Sequence, residues 1–538
     1  MMNYPLTLVP ILERAGSLFA PVEIVSRLAG GELHRSNYRE VYGRSRALAQ
    51  GLLEAGLRHG DRVATLMGNH HVHLEAYFGI PLAGGAVHTL NLRLHPSDLA
   101  YIVNQAEDRF LILDAAQAPL LEKFRKQVRL EKVFLFAREG DGIPDGYENY
   151  DTLLRGGEED FSYPELGEDD AAGMCYTSGT TGRPKGVLYS HRALVLGALA
   201  LGLTDGMGLS GHDVILQLVP MFHATGWGIP YAATMLGAKQ VFVGSPLEPE
   251  TLLGLLESEQ VTFSCGVPTV WLRVLDTLEK HPGRWKLAPE LRVAVAGSAA
   301  PAALIRGFHR HGIQPIHGWG MTEIPPMTTM SRPKVHLKNR GEDRKVELTM
   351  KQGLPGPLLE LRAVGERGPV PWDGESVGEL QARGPWVADR YFNLPDEKNL
   401  LDRKNRWTQD GWFRTGDIVT LDAEGYMKIV DRKQDLINSG GEWISSVDLE
   451  NALMGHPEVA EAAVVAVPHP EWGERPLAVV VPKGDKQPPA DEFRRFLQDR
   501  FANWQLPEAF VFVDQIPRTA AGKFQKSKLR EQFRDWKW

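Results

Sequence analysis

YTSGTTGRPKG, residues 176–186, is a loop rich in glycine and hydroxyl side chains that contains a lysine at position 185. Its glycines let phosphate oxygens approach the backbone closely, and successive N–H groups can form an anion-binding nest. The spacing is not that of a Walker P-loop, because Arg183 and Pro184 follow Gly182. We therefore interpret the stretch as a polyphosphate-binding loop rather than a surface turn. The candidate contacts are Thr177, Ser178, Gly179, Thr180, Thr181, Gly182 and Lys185.

Composition and charge narrow the classes of function. The 538 residues include 60 basic and 68 acidic side chains, a formal net charge of −8, which argues against a general nucleic-acid-binding protein. Two cysteines, Cys175 and Cys265, are too few for a disulfide framework or a zinc site and fit a reducing compartment. The N-terminus lacks the basic region of a signal peptide, and no apolar run would span a bilayer. These features predict a cytoplasmic enzyme.

Short apolar segments alternate with helical stretches over most of the chain, as in the amphipathic helix predicted at 38–55. This alternation predicts an α/β fold with a large, multi-layer N-terminal domain and mainly parallel sheets. Residues 334–351 are highly charged and predict a solvated surface helix, followed by a β-rich subdomain that ends near residue 431. The strands predicted in these parts lie at 62–67, 110–114, 213–219, 240–243, 291–297 and 378–382.

A domain boundary is predicted near residues 432–435, which divides the chain into domains 1–431 and 432–538. The second part reads as a small α+β unit of roughly 100 residues, a normal domain size. Its charged final helix, 528–538, is interpreted as a solvated cap. The other predicted elements are helices at 446–454 and 492–501 and strands at 461–467, 477–482 and 510–513.

Four further motifs follow the phosphate loop: HGWGMTE (317–323), GWFRTGDI (411–418), DRKQDLINSGGEWIS (431–445) and PRTAAGK (517–523). In order and spacing they resemble the adenylate-forming superfamily of acyl-CoA synthetases, peptide-synthetase adenylation domains and firefly-type luciferases. The stretches SGGEWISSVDLENALMGHP and FANWQLPEAF look most similar to bacterial medium- and long-chain fatty acyl-CoA synthetases. The resemblance implies a large N-terminal domain and a small, mobile C-terminal domain.

The resemblance also implies a reaction in two steps. A carboxylate attacks the α-phosphate of ATP, which gives an acyl-adenylate and pyrophosphate, and the thiol of coenzyme A then displaces AMP. Such a site needs cations positioned beforehand against several negative charges. The implied cofactors are ATP, Mg²⁺ and coenzyme A, and a carboxylate with phosphate oxygens is a ligand set that Mg²⁺ accepts.

By position in the motifs, the resemblance assigns catalytic roles to Lys523, Glu323, Thr322 and Lys185, with Mg²⁺ held by Glu323 and Thr181. Trp319 takes the place of an aromatic that stacks on adenine, although simple core packing fits the same position. Asp417 suits an acceptor for the ribose hydroxyls, and a turn-capping aspartate is the alternative. The remaining implied nucleotide contacts are Gly297, Ser298, Ala299, Gly318, Gly320 and Arg432.

For the second step, the resemblance implies that the C-terminal domain rotates and presents Gly440, Gly441, Glu442 and Trp443 to coenzyme A. A glycine pair would let the narrow pantetheine arm pass the backbone, but it would equally form a turn between a strand and a helix. Gln434 stands at the hinge position, where relatives usually carry Asp or Lys. We expect the rotation to occur, and its rate stays open.

The acid pocket is predicted at PMFHATGWG, residues 220–228. Amino-acid-activating relatives carry an aspartate where this chain has His223, so a non-amino acid is favoured. His223 is either a pocket group or a hydrogen-bonded structural histidine, and Trp227 either gates an acyl tunnel or floors a short pocket. Ile324, followed by two prolines, departs from the small polar residues of relatives. A medium- or long-chain fatty acid, a short thioether acid such as 3-methylmercaptopropionate and an aryl acid therefore all remain open.

The leading prediction is an ATP-dependent fatty acid–CoA ligase that forms AMP. An enzyme that passes its acyl group to a separate carrier protein is the alternative, while a luciferase-like oxygenase or a scaffold without catalysis is less favoured. A homodimer is a modest preference among the possible oligomers. The expected partners are small molecules, with no nucleic acid and no integral membrane segment.

Overall fold

The computed structural model describes the chain except for residues 138–139, 141, 156–160, 178–182, 245–246, 339, 395–404, 485–486 and 520–522, and the side chains of 326–327. Its helices are α1 Val9–Leu18, α2 Tyr38–Glu54, α3 His71–Leu82, α4 Pro96–Ala106, α5 Ala118–Glu122, α6 Tyr150–Leu153, α7 His191–Gly202, α8 Ile229–Leu236, α9 Pro249–Ser258, α10 Pro268–Lys280, α11 Ala302–Arg310, α12 Glu342–Met350, α13 Ser446–Leu453, α14 Ala490–Gln498 and α15 Lys526–Gln532.

The strands form four sheets in the described residues. In chain order they are β1 Glu23–Arg27, β2 Leu33–Asn37, β3 Arg62–Leu66, β4 Ala86–Thr89, β5 Phe110–Asp114, β6 Lys132–Phe136, β7 Glu148–Asn149, β8 Ala171–Tyr176, β9 Gly186–Ser190, β10 Val214–Gln217, β11 Lys239–Phe242, β12 Phe263–Gly266, β13 Arg292–Val295, β14 Gln314–Met321, β15 Ile324–Met330, β16 Leu354–Pro355, β17 Glu360–Gly365, β18 Gly368–Pro369, β19 Gly378–Arg383, β20 Phe413–Leu421, β21 Met427–Arg432, β22 Ile437–Ser439, β23 Glu442–Ile444, β24 Val459–His469, β25 Gly473–Pro482 and β26 Ala509–Phe512.

The two larger sheets build the centre of the molecule. The first has the order β16-β15-β14-β13-β12-β10-β11-β1-β2, and the second β7-β6-β5-β3-β4-β8-β9. Their inner strands pair in parallel, as in the register Ala294 to Ile316 between β13 and β14. Such strands are apolar along their length because helices cover both faces. The largest hydrophobic cluster contains residues of both sheets and of helices α1, α2, α3, α7 and α8.

Helix α2 shows how local sequence sets these elements. Asn37 lies before its first turn in extended backbone, and its side chain accepts a hydrogen bond from the Glu40 N–H. That bond satisfies one of the free amides at the helix N-terminus. One face of the helix, which includes Val41, Leu48 and Leu52, is buried in the core. The helix predicted at 38–55 is therefore present, with an ordinary capped start.

Two smaller sheets follow. The third, in the order β18-β17-β19-β20-β21, is antiparallel, and the fourth joins β23-β22-β25-β24, with β26 added in parallel to β25. Helices α13 and α14 share a core with the fourth sheet. The predicted class, a large α/β part with a β-rich subdomain and a small α+β C-terminal part, is confirmed. Movement of that last part stays a prediction.

One local prediction, the extent of the final helix, is wrong, and one alternative, the kind of turn at the glycine pair, is corrected. The final helix ends at Gln532 rather than at the C-terminus, because Phe533 and Trp536 turn back to pack on the cluster around Val465 and Ile516. The glycine pair at 440–441 joins β22 to β23 in a hairpin, not a strand to a helix. Its φ angles of +63° and +91° explain the glycines. In the described residues, no helix is long and apolar enough to cross a membrane.

Candidate active site

The loops that follow the parallel strands open into one cleft, as expected at the carboxyl ends of such strands. Two cavities of about 390 and 260 Å³ share the walls formed by Gly297, Gly320, Arg432 and Lys523. The larger cavity is lined by Thr177, Arg183 and Lys185 at one side and by an apolar pocket at the other. The smaller cavity extends towards Trp319 and Asp417.

The residues at the phosphate side of the larger cavity belong to the hairpin formed by β8 and β9. Thr177 and Lys185 close the base of the loop, since the Thr177 N–H donates to the Lys185 carbonyl at 2.9 Å and the Lys185 N–H donates to Thr177 Oγ1 at 3.1 Å. The Lys185 Nζ lies 4.9 Å from the ring centroid of Tyr391. Ser178, Gly179, Thr180, Thr181 and Gly182, which were predicted to contact phosphates, lie outside the described residues.

Glu323 stands in the turn between β14 and β15, with only 5% of its surface exposed. The Tyr391 hydroxyl donates to its Oε1 at 2.7 Å, and its carbonyl accepts from the Ala388 N–H at 2.8 Å. The carbonyl of the preceding Thr322 accepts from the Tyr189 hydroxyl at 2.8 Å. Both predicted catalytic residues are therefore held by the neighbouring structure and face the larger cavity.

The smaller cavity has the features expected of an adenosine site. Gly297, Ser298 and Ala299 follow β13 and line it. The Trp319 indole donates to Asp417 Oδ2 at 2.8 Å, and Arg432 Nε lies 2.6 Å from Oδ1. Each carboxylate oxygen keeps a second lone pair that could accept a ribose hydroxyl. Trp319 thus belongs to a packed core and lines the cavity at the same time, together with Gly318 and Gly320.

Lys523 reaches this cleft from the C-terminal part of the chain. A Cβ at Gly297 would lie 3.6 Å from its Cε, and its loop is closed by a hydrogen bond of 2.7 Å from the Thr519 N–H to the Lys523 carbonyl. Burial lowers the pKa of the ammonium to about 8, and the nearby Arg432 adds to this, while Asp417 and Glu323 oppose it. The ammonium group therefore lies at the wall that the two cavities share.

The other side of the larger cavity is an apolar pocket that includes His223 and Trp227. Burial, with smaller contributions from Lys523 and Arg93, lowers the pKa of His223 to about 4, so the imidazole is neutral at pH 7. Its side chain has no hydrogen-bond partner among the described residues, which favours the pocket role over the structural one. The apolar lining consists of Leu218, Val219, Pro220, Phe222, Trp227, Leu247, Val267 and Val270.

Comparison with known proteins identifies the family of this chain. The AMP-binding enzyme model matches residues 20–392, more than half of the chain, and the AMP-binding enzyme C-terminal domain model matches residues 448–523. The chain belongs to the AMP-binding enzyme family. The resemblance inferred from the five motifs is therefore confirmed.

Similar proteins within the family are ligases. A long-chain-fatty-acid–CoA ligase of Thermus thermophilus is 51% identical, over 100% of this chain and 97% of the relative. A 3-methylmercaptopropionyl-CoA ligase of Ruegeria lacuscaerulensis is 41% identical, over 99% and 98%. Among solved structures, the anthranilate CoA ligase AuaEII in complex with anthranoyl-AMP has a TM-score of 0.86 at 25% identity, over 99% and 98%.

Sequence reasoning missed Tyr391, which contacts two of the predicted catalytic residues of this AMP-binding enzyme. It lies in RYFNLPDE, a stretch without a distinctive motif, and it is 68 positions from Glu323 along the chain. Its ring packs edge-on against Trp407 at 5.4 Å between centroids. Only the fold brings the hydroxyl to the carboxylate, so the sequence offered no signal.

The predicted coenzyme A contacts are not part of the cleft. Gly440, Gly441, Glu442 and Trp443 form the hairpin between β22 and β23 and line neither cavity. The Trp443 side chain is exposed. Within the described residues, the arrangement therefore places Lys523 in the cleft and the hairpin outside it, as the adenylation step would require.

Proposed function

We propose that this AMP-binding enzyme is an ATP-dependent acid–CoA ligase that acts on medium- or long-chain fatty acids. Acid and ATP give acyl-AMP and pyrophosphate, and acyl-AMP and coenzyme A then give acyl-CoA and AMP. The observation that carries the proposal is the single cleft that joins Lys185, Glu323 and Lys523 to an apolar pocket. The CoA ligases that this chain matches over nearly their full length support the same class of enzyme.

In the first step, the residues act mainly by holding positive charges in fixed positions. Lys523 would lie between the acid carboxylate and the α-phosphate and offset their repulsion, while Lys185 would bind the outer phosphates. Both cations are in place before the reaction, so no reorganisation is needed as negative charge develops. The Thr322 hydroxyl would donate a hydrogen bond to the α-phosphate. Asp417 and Trp319 would hold the nucleoside.

The residues present fit Mg²⁺ at Glu323. Its Oε1 is engaged by Tyr391, Oε2 has no hydrogen-bond partner among the described residues, and the residue lines the cavity. One carboxylate completed by phosphate oxygens and water is a usual Mg²⁺ environment. When bound, the ion would neutralise phosphate charge; the second predicted ligand, Thr181, lies outside the described residues.

For the second step, we propose that residues 432–538 rotate as a domain about Gln434. This would withdraw Lys523 and bring Gly440, Gly441, Glu442 and Trp443 to the cleft. Three observations support the proposal: Gln434 is exposed, the fourth sheet has its own core, and the hairpin carries an exposed tryptophan. The thiol needs no dedicated base, since a group with a pKa of about 8.5 is partly ionised near neutral pH.

The pocket favours an apolar acid without an amino group. A neutral His223 offers no negative charge to an α-ammonium group, and the charged side chain beside it, Arg93, is a cation. Many of the other side chains on this side of the cavity are aliphatic or aromatic. Short thioether acids and aryl acids would fit the same chemistry, and the 41% identical relative named for 3-methylmercaptopropionate keeps the first of them as a second candidate.

The test is release of AMP and pyrophosphate with ATP, Mg²⁺ and straight-chain acids from C3 to C18, with and without coenzyme A. Turnover that requires coenzyme A is expected, with an optimum at C8 or longer. A stoichiometric burst of pyrophosphate that ignores coenzyme A would overturn the ligase and point to a carrier-protein acceptor. Best activity with 3-methylmercaptopropionate would assign the second candidate.

We also propose a cytoplasmic location and a homodimer. Both cysteines are free and buried, which fits a reducing compartment. The exposed Leu199 near the end of α7, Leu203 directly after it and Leu358 offer apolar surface for self-association. Light scattering at micromolar protein concentration measures the mass directly, and a mass of 59.8 kDa would exclude the dimer.

A further inference from the structure

Five consecutive residues at the edge of the acid pocket have left-handed backbone. The φ angles are +38° at Ala224, +36° at Thr225, +60° at Gly226, +53° at Trp227 and +68° at Gly228. Two of the five are glycines, which adopt this region freely, but the other three are not. We call residues 224–228 the left-handed turn. It leads from His223 to Trp227, the two pocket residues singled out by the sequence.

Such a turn is unfavourable in isolation, because left-handed backbone brings Cβ close to the next carbonyl oxygen. Thr225 is the least suited residue, since it is β-branched and bulky side chains rarely take positive φ. Its hydroxyl is also buried without a hydrogen-bond partner among the described residues. Strain of this kind persists only where surrounding contacts determine the conformation, and it concentrates at functional sites.

The contact that fixes the middle of the turn comes from β8. The Thr225 N–H donates to Cys175 Sγ at 3.2 Å, and Thr89 Oγ1 lies 3.2 Å from the same sulfur. Burial raises the pKa of the Cys175 thiol, so the sulfur stays protonated and neutral at pH 7. Cys175 is 2% exposed and belongs to the same hydrophobic cluster as Trp227.

The position of Cys175 in the chain makes this contact informative. It lies two residues before Thr177, which closes the base of the phosphate loop through Lys185. The Tyr176 hydroxyl between them hydrogen-bonds Gln105 on α4. One end of β8 thus contacts the left-handed turn through Cys175 and continues directly into Thr177.

We propose that Cys175 is a positioning residue for the acid: by accepting the Thr225 N–H it holds the left-handed turn and so fixes His223 and Trp227 in the acid pocket. The proposal rests on the proposed function, because it assigns the pocket to the acid. Cys175 touches neither the acid nor the nucleotide and forms no bond in the reaction. Its effect is specific to acid binding and selectivity.

The test compares Cys175→Ala, Cys175→Ser and Val63→Ala in the full-length chain. Alanine removes the acceptor, serine keeps one, and Val63→Ala removes buried atoms from the same cluster on β3, away from the turn. With octanoate, ATP and coenzyme A, Cys175→Ala should raise KM for the acid about tenfold, the factor expected from the loss of one buried hydrogen bond. KM for ATP should change less than about twofold, and Cys175→Ser should recover most of the loss.

A second readout does not depend on turnover. The near-ultraviolet circular dichroism of Cys175→Ala should lose the part of the spectrum that Trp227→Phe also loses, while Val63→Ala keeps it. Equal changes in KM for acid and ATP, an effect of Val63→Ala as large as that of Cys175→Ala, or an unchanged tryptophan spectrum would each overturn the proposal. A wild-type chain that turns over no acid would refute the proposed function instead, and the spectra would still decide the role of Cys175.

Discussion

The Tyr391 hydroxyl donates a hydrogen bond of 2.7 Å to Oε1 of Glu323, and the ring of the same tyrosine lies beneath the Lys185 ammonium. One buried side chain therefore contacts a carboxylate and a cation that line the same cavity from different loops. The bond occupies Oε1 of Glu323 and leaves Oε2 for a further ligand. Partners of this kind orient metal-binding carboxylates and are commonly as important as the ligand itself.

Tyr391→Phe should lower the affinity of the enzyme for Mg²⁺. The phenyl ring keeps its contact with Lys185, but Glu323 loses the donor that fixes its orientation. We expect the Mg²⁺ concentration for half-maximal adenylation to rise by about tenfold or more. Binding of Mn²⁺ in the presence of AMP, followed by electron paramagnetic resonance, measures the same effect without turnover.

Tyr150→Phe is the matched control for this substitution. Its hydroxyl also donates to a buried carboxylate, Glu75, at 2.8 Å, but neither residue lines the cleft. It should lower the free energy of unfolding by about 1 kcal/mol or more and leave the Mg²⁺ dependence unchanged. A Tyr391→Phe enzyme with the same Mg²⁺ dependence as wild type would show that the bond is only structural.

The pH dependence of adenylation should report Lys523. Its pKa of about 8 in the free enzyme means that the ammonium is charged below pH 8 and loses its proton above it. Because the cation is the active form, kcat/KM for ATP in pyrophosphate exchange should fall as pH rises through about 8. His223 titrates at about 4 and does not contribute there. Lys523→Arg stays charged at all these pH values, so its alkaline limb should be absent despite a lower rate.

Much of the fold and site followed from local sequence. The strands that carry the site are short apolar runs with motifs directly after them, as at Ala294 before Gly297 and at Tyr176 before Thr177. Parallel strands place the segments that follow them at the carboxyl edge of their own sheet. Because β13 and β8 belong to different sheets, the packing of the two sheets brings their motifs together. The hydrogen bonds around Asp417 could not be predicted in the same way, since Trp319 and Arg432 reach it from other strands.

Other features depend on tertiary contacts that leave no local pattern. The turn at 224–228 contains ordinary residues such as Ala224 and Thr225, and its left-handed backbone is imposed by buried neighbours. The chain end was read as a helix because its charges alternate, yet Trp536 and Phe533 pack back on the fourth sheet. In both cases packing overrides local propensity.

The two partial reactions should separate in two variants. Lys523→Ala removes a cation from the cleft, so adenylation should slow by about 100-fold or more, while the reaction of added acyl-AMP with coenzyme A stays within about threefold. Gly441→Val should do the reverse. In the hairpin it places a branched side chain at φ +91°, where coenzyme A would pass, while leaving Lys523 in the cleft. Loss of both partial reactions in either variant would contradict the domain rotation.

Trp227→Gly tests whether the indole is the floor of a pocket that ends at medium chain length or the gate of a longer tunnel. Glycine adopts the φ of +53° without strain, so the side chain is removed without a backbone penalty. If the indole is the floor, kcat/KM should rise for acids longer than the wild-type optimum and fall about tenfold or more for shorter ones, which lose apolar contact. If it gates a tunnel that wild type already uses, long acids should keep their kcat/KM and react without waiting for the indole to move. We expect the first outcome, because Trp227 is 7% exposed and packed in the core cluster. A panel of straight-chain acids from C4 to C16 distinguishes the two, and an unchanged profile would remove Trp227 from the residues that determine selectivity.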